Sequence, residues 1–179
     1  DLRRINPALV YCSVTGFGQD GPYAPRPGYD FIFQGMGGLM SITGHVDGEP
    51  GGGPQKVGLI VSDLMAGMYA SVAILAALEH RDAVSGQGQY IDLALLDAQV
   101  AALSHAAMGY LVSGDPVPRC GTQSPTAAPS QMYRCADGAV MLVVGNKAQW
   151  LINQVEAYKT QFTQPLWLTE FACDDAATL

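Results

Sequence analysis

The sequence predicts an α/β layer built on a parallel sheet, and three observations lead there. Short runs rich in apolar and β-branched residues, "ALVYCSV" (8–14) and "YIDLALL" (90–96), alternate with longer apolar stretches of helical character. The first run is nearly continuous in apolar and β-branched residues rather than alternating, as in parallel strands covered on both faces. Hydrophobic residues make up 49% of the 179 positions and charged residues 14%, enough to fill a sizeable core.

The elements follow in order. "DLRRINPALV" reads as the end of a helix or loop already in progress, with no signal peptide. After the first strand, "TGFGQDGPYAPRPGYD" places Gly16, Gly18 and Gly21 in the spacing G-x-G-x-x-G. A dinucleotide-binding loop with that spacing opens a helix, whose N-terminus receives the pyrophosphate. Here Pro22, Pro25 and Pro27 forbid a regular helix, so the stretch is a glycine–proline loop that delivers "GYD" to some destination. "YDFIFQGMGGLMSITG" (29–44) is helical in its middle, although Gly35, Gly37 and Gly38 weaken the helix and permit close approach of a neighbour or a ligand. "HVDGEPGGGPQ" (45–55) has the composition of a mobile loop, and "KVGLIVS" (56–62) that of a short strand or extended entry.

A helix from about Asp63 to Arg81 is apolar on all sides and rich in small residues, which predicts deep burial. Its apolar stretch, residues 64–78, is shorter than the roughly 20 residues of a membrane span. "VSGQGQ" (84–89) is a turn, residues 90–96 a strand, and residues 97–112 a second apolar helix. The texture then changes to the proline-rich connector "SGDPVPRCGTQSPTAAPSQ", which puts a domain boundary near 115–125. "MYRCADGAVMLVVGN" reads as a hairpin turning at Asp137-Gly138. The remaining tail is partly helical.

Composition excludes several functions. The net charge is −7, with nine Lys and Arg and no basic cluster suited to nucleic acid or an anionic membrane. Cys12, Cys120, Cys135 and Cys173 form no C-x-x-C pair and read as thiols of a reducing, cytoplasmic compartment. His45, His80 and His105 lack metal-ligand spacing, so no metal is expected. There is no P-loop and no G-x-S-x-G elbow.

The most informative residue is Asp63, where an extended segment turns into the long helix. Local chemistry allows it two roles. It is either a cap or first-turn acid favoured by the helix dipole, or a carboxylate presented at a strand's carboxyl end, where open α/β sheets place ligands. In the second role it could serve as a covalent nucleophile.

"YCSVTGFGQDGPYAPRPGYDFIFQGMGGLMSITG", followed by "GEPGGGPQKVGLIVSDLMAGMYASVAILAALEHRDAVSGQGQYIDLALLD", resembles the class III CoA-transferases (CaiB/BaiF type), with acyl-CoA racemases as relatives. The resemblance runs from residue 1 to about 150. It implies a partial Rossmann-like parallel sheet with buried helices in residues 1–118, the central part of a large domain. Residues 119–179 would then begin a smaller α+β domain. It also implies that Asp63 attacks an acyl-CoA thioester and later carries CoA. Tyr29 would stand near that nucleophile and the CoA, and Gly37 and Gly38 would line the CoA site. No permanently bound cofactor is implied, CoA and acyl-CoA being substrates, and the assembly would be an interlocked homodimer. Racemase members carry a histidine at the Tyr29 position, and a tyrosine phenol is a poor base near neutral pH, so Tyr29 favours transfer.

The chain departs from the family pattern in two places. Members carry a GN-x-HP type of sequence where this chain has "GTQSP" (121–125), and residues beyond about 150 match poorly. The expected activity is transfer of CoA between an acyl-CoA and a free carboxylic acid. The alternatives are a 2-methylacyl-CoA racemase and an inactive fragment acting only by association.

Overall fold

The computed structural model describes residues 2–143. A short helix α1 (Leu2–Ile5) precedes strand β1 (Tyr11–Thr15). Helices α2 (Asp30–Met36), α3 (Leu39–Ile42) and α4 (Val61–His80) lie between β1 and strand β2 (Tyr90–Ala94). Helices α5 (Leu95–Ala102) and α6 (His105–Ser113) follow, then strands β3 (Gln131–Arg134) and β4 (Ala139–Leu142). The chain divides into two compact units, Asp1–Asp47 with Gly51–Arg119, and a second that takes up Gly48–Pro50 and the chain from Cys120 onward.

In the first unit β1 and β2 pair in parallel, from Tyr11 opposite Tyr90 to Thr15 opposite Ala94. A parallel pair requires a long crossover, and α2 to α4 supply it. The Tyr11 and Tyr90 rings stack at 5.7 Å, adding a cross-strand aromatic contact to the ladder. Pairing begins at Tyr11 rather than at residue 8: the Leu9 N–H turns back to Asn6 O, while the Gly88 N–H keeps the two chains joined through Pro7 O. Gly88 is bare because the chains nearly touch there, an added Cβ falling 1.9 Å from the Leu9 carbonyl oxygen.

The loop from Gly16 to Gly28 contains no helix and is built around one ring. Phe33 of α2 is fully buried, and its ring closes on Gly28, where a Cβ would lie 2.2 Å away. Phe17 packs edge-on against Phe33 at 5.3 Å and against Tyr23 at 5.4 Å, with the Arg26 guanidinium over the Tyr23 ring. Gly18 and Gly21 adopt φ of 85° and 90°, so these glycines serve the turns of an aromatic-packed loop.

Four expectations are sharpened or corrected. Residues 56–62 form no strand; the Val57 N–H and Leu59 carbonyl are taken up by the Gln34 side chain instead of a neighbouring strand. The glycine-rich loop 45–55 is tied at its base. His45 bridges Gly52, the Gln55 N–H donates to Thr43 O, and Arg119 forms an ion pair with Asp47 while donating to Ser41 O.

The helix expected over 97–112 is two helices bent by 79°, with Ser104 at φ 49° between them. The fourth correction concerns α4, which is not buried all round. Ser62, Ala66, Ala70 and Ala77 face inward, while Leu64, Met68, Val72 and Leu75 are exposed. A two-stranded sheet with α2 and α5 covers only one face of a helix, and alanines occupy that face because they admit the closest approach. With the π turn that follows, Val61–Ser85 runs 25 residues and meets the length and hydropathy of a membrane span. The same properties belong to core helices, and the inward alanines pack as one.

In the second unit β3 and β4 pair antiparallel, with the Cys135 N–H bonded to Gly138 O across the expected Asp137-Gly138 turn. The residues of the expected hairpin beyond 143, the tail expected to be partly helical and Cys173 lie outside the described residues.

Two glycines give opposite expectations. Gly88→Ala forces backbone apart at the start of the ladder and should destabilise by at least the ~1–3 kcal/mol of an overpacked core. Gly67→Ala, inside α4 with open space around it, should stabilise by about 0.5–1 kcal/mol. Urea-unfolding midpoints of the two variants measure both effects.

Candidate active site

The N-terminus of α4 carries no cap of its own. Ile60 stands at the N-cap position and provides no side-chain hydrogen bond. The missing acceptor comes from a residue 32 positions upstream: Asp30 Oδ1 accepts the Ser62 N–H at 2.8 Å. Asp30 opens α2, so one carboxylate sits at the N-terminal turns of two helices, where negative charge is favoured.

A buried polar cluster supports this contact. Gln34, one turn beyond Asp30 and fully buried, donates from Nε2 to Asp30 Oδ2 at 2.7 Å and to Leu59 O at 3.0 Å. Gln34 Oε1 accepts the Val57 N–H at 2.9 Å. Ser62 Oγ, also buried, donates to Gln99 Oε1 of α5 at 2.8 Å. Buried polar groups are costly unless paired. Among the described residues one such atom, Gln99 Nε2, has no partner. Sequence inspection singled out none of Asp30, Gln34, Ser62 and Gln99. The available signal was two polar residues one helical turn apart, Asp30 and Gln34, inside an otherwise apolar run.

Asp63 follows Ser62 in the first turn of α4 and is exposed. Its carboxylate makes no hydrogen bond or ion pair with any described residue. Asp30 takes the cap, and Asp63 is the first-turn acid of α4; because residues 56–62 form no strand, it does not stand at a strand's carboxyl end, and its carboxylate is left exposed. Tyr29 is the N-cap residue of α2, extended in backbone, and the residue is 76% exposed. The hydrogen bond from Ser62 to Asp30 joins the immediate neighbours of Asp63 and Tyr29, so the two exposed side chains are presented by one clamped junction.

Gly37 and Gly38 lie at the turn between α2 and α3. A Cβ on Gly37 would fall 2.5 Å from Gln99 Cγ, and Gly38 has φ of 86° with Leu103 close by. Their bareness lets α5 approach α2. Among the described residues no group of three or more His, Cys, Asp or Glu could hold a metal ion.

Residues 1–162 match the family described as CoA-transferase family III. The chain belongs to that family. It is 52% identical over 149 residues to the succinate–glutarate CoA-transferase of Agrobacterium fabrum, a match covering 83% of this chain and 36% of that protein. Human succinyl-CoA:glutarate CoA-transferase is 39% identical, covering 84% and 33%, and acetyl-CoA:oxalate CoA-transferase of Acetobacter aceti is 38% identical, covering 82% and 36%. The crystal structure of a CaiB/BaiF family protein from Brucella suis superposes with a TM-score of 0.72 at 46% identity, covering 83% of this chain and 38% of that one. The chain thus spans about a third of the length of the curated relatives it matches.

The two aspartates separate by stability. Asp30→Ala leaves the Ser62 N–H and a Gln34 donor without their acceptor, at a cost of about 1–3 kcal/mol per unmet group. Asp63→Ala removes an exposed side chain with no partner among the described residues and should cost no more than the ~0.3–1 kcal/mol of a first-turn charge. Thermal unfolding of both variants checks the assignment; an equal loss in both would return the capping role to Asp63.

Proposed function

We propose that the protein transfers CoA between an acyl-CoA and a free carboxylic acid, with Asp63 as the covalent nucleophile. The observation that carries this reading is the unpartnered, exposed Asp63 carboxylate at the N-terminal turn of α4, whose capping has been handed to Asp30. In the first half-reaction an Asp63 oxygen attacks the thioester carbonyl and the C–S bond breaks, giving a mixed anhydride and CoA thiolate. The thiolate then attacks the aspartyl carbonyl. The anhydride C–O bond breaks, the product carboxylate leaves, and Asp63 carries CoA as a thioester. The acceptor carboxylate runs the same steps in reverse. Each step exchanges one activated acyl bond for another, and the helix N-terminus favours the negative charge that develops beside it.

The names of the relatives support a dicarboxylic pair, of the succinyl and glutaryl kind, as donor and acceptor. The exposed Tyr29 ring is proposed to pack against CoA or the acyl group. The Gly37–Gly38 turn, which the resemblance puts at the CoA site, enters the proposal through the α2–α5 packing that it permits. Residues 1–118 are assigned to the large domain and 119–179 to the start of the small one. For the whole protein we propose a cytoplasmic homodimer; the exposed apolar face of α4, Leu64, Met68, Val72 and Leu75, supports an interface of this kind.

The test uses the complete protein with succinyl-CoA and no acceptor, acid-quenched and analysed by peptide mass. A CoA adduct should appear on the peptide containing Asp63 and be absent in Asp63→Asn. Full activity in Asp63→Asn overturns the reading. Tyr29→Phe, which keeps the ring, should cost no more than a neutral hydrogen bond, about 0.5–1.5 kcal/mol in kcat/KM, whereas Tyr29→Ala should cost more.

A further inference from the structure

We infer that Gln34 is a positioning residue for the reaction at Asp63, an inference that rests on the nucleophile reading above. Gln34 is fully buried and makes no hydrogen bond to Asp63. It acts through three hydrogen bonds, two to the segment leading into α4 and one to the carboxylate that caps that helix. Its Oε1 accepts the Val57 N–H, and its Nε2 donates both to the Leu59 carbonyl and to Asp30 Oδ2. The segment 57–60 has no strand partner, so these bonds take the place of a ladder. The bond to Asp30 leaves the other oxygen of that carboxylate directed at the Ser62 N–H. One side-chain amide therefore sets both the path of the chain entering α4 and the orientation of the carboxylate that caps it.

The consequence is specific to chemistry. Asp63 lies one residue beyond Ser62, and a carboxylate is a weak nucleophile whose rate depends on placement; mis-set geometry of about 1 Å can cost a hundredfold. No hydrogen bond joins the Gln34 side-chain amide to Tyr29 or to the Gly37 turn. Loosening the amide should therefore slow attack without removing the surface on which acyl-CoA rests.

Gln34→Met preserves length and volume and removes all three hydrogen bonds. Gln34→Glu preserves the acceptor for Val57 and loses both donors. Each is to be made in the complete protein and compared with the parent for unfolding midpoint, succinyl-CoA KM, and the rate at which the Asp63 adduct forms in a quenched single turnover. The expected result is a folded protein with KM within about threefold of the parent and an adduct rate lowered at least tenfold. An adduct rate within twofold of the parent in either folded variant overturns the inference. So does failure of both variants to fold, which would make Gln34 a residue of the fold alone. If Asp63→Asn keeps full activity, the nucleophile reading falls first; if Asp63→Asn is inactive and Gln34→Met is not slowed, only the role of Gln34 falls.

Discussion

The contact between the Asp30 carboxylate and the Ser62 N–H is the constraint on which the first unit depends. It joins the start of α2 to the start of α4 across 32 residues of sequence, and it does so out of water. A buried carboxylate is tolerable only when its oxygens are occupied. One oxygen takes the backbone N–H at the head of α4 and the other takes the Gln34 amide. The helix dipoles at both N-terminal turns favour the same charge. Ser62 then passes the connection to α5 through Gln99, so three helices meet through four buried polar side chains.

Close packing around this cluster requires the absence of side chains elsewhere. Gly37 lets Gln99 approach α2, Gly28 and Gly16 accommodate the Phe33 ring, and Gly88 lets the chain pass Leu9. Ala66, Ala70 and Ala77 let α4 lie close on its neighbours. The pattern of α4 is thereby inverted relative to an ordinary surface helix, with small residues inward and large apolar ones outward. The outward residues Leu64, Met68, Val72 and Leu75 account for much of the exposed apolar surface of the helix.

The division of labour between adjacent residues links this packing to chemistry. Tyr29 and Asp63 point outward while Asp30 and Ser62, their neighbours in sequence, point inward and bind each other. The inward pair supplies rigidity, and the outward pair is left with exposed functional groups. In the proposed reaction Tyr29 and Asp63 keep their geometry because the adjoining backbone is over-determined.

Periodicity and residue type in the sequence determined the two parallel strands, the long helix beginning near Asp63, the loop that cannot become a helix after Gly21, and the hairpin at Asp137-Gly138. These are local properties: β-branched runs, proline geometry and turn chemistry act within a few residues. The motifs around "GYD" and "VSDLMAG" were enough to mark Tyr29 and Asp63 as candidates. Tertiary structure decided the rest, because the deciding partners are distant in the chain. Whether Asp63 is a cap or a free carboxylate depends on Asp30, whose own backbone pattern carries no mark of where its oxygen will point. Whether "KVGLIVS" is a strand depends on whether a neighbouring strand or the Gln34 amide meets its N–H groups. How deeply α4 is buried depends on how many elements surround it. The bend at Ser104 has no proline or glycine to announce it and exists only where α5 and α6 diverge. Each outcome is a pairing across tens of residues, and a one-dimensional pattern records which groups need partners without recording which partners arrive.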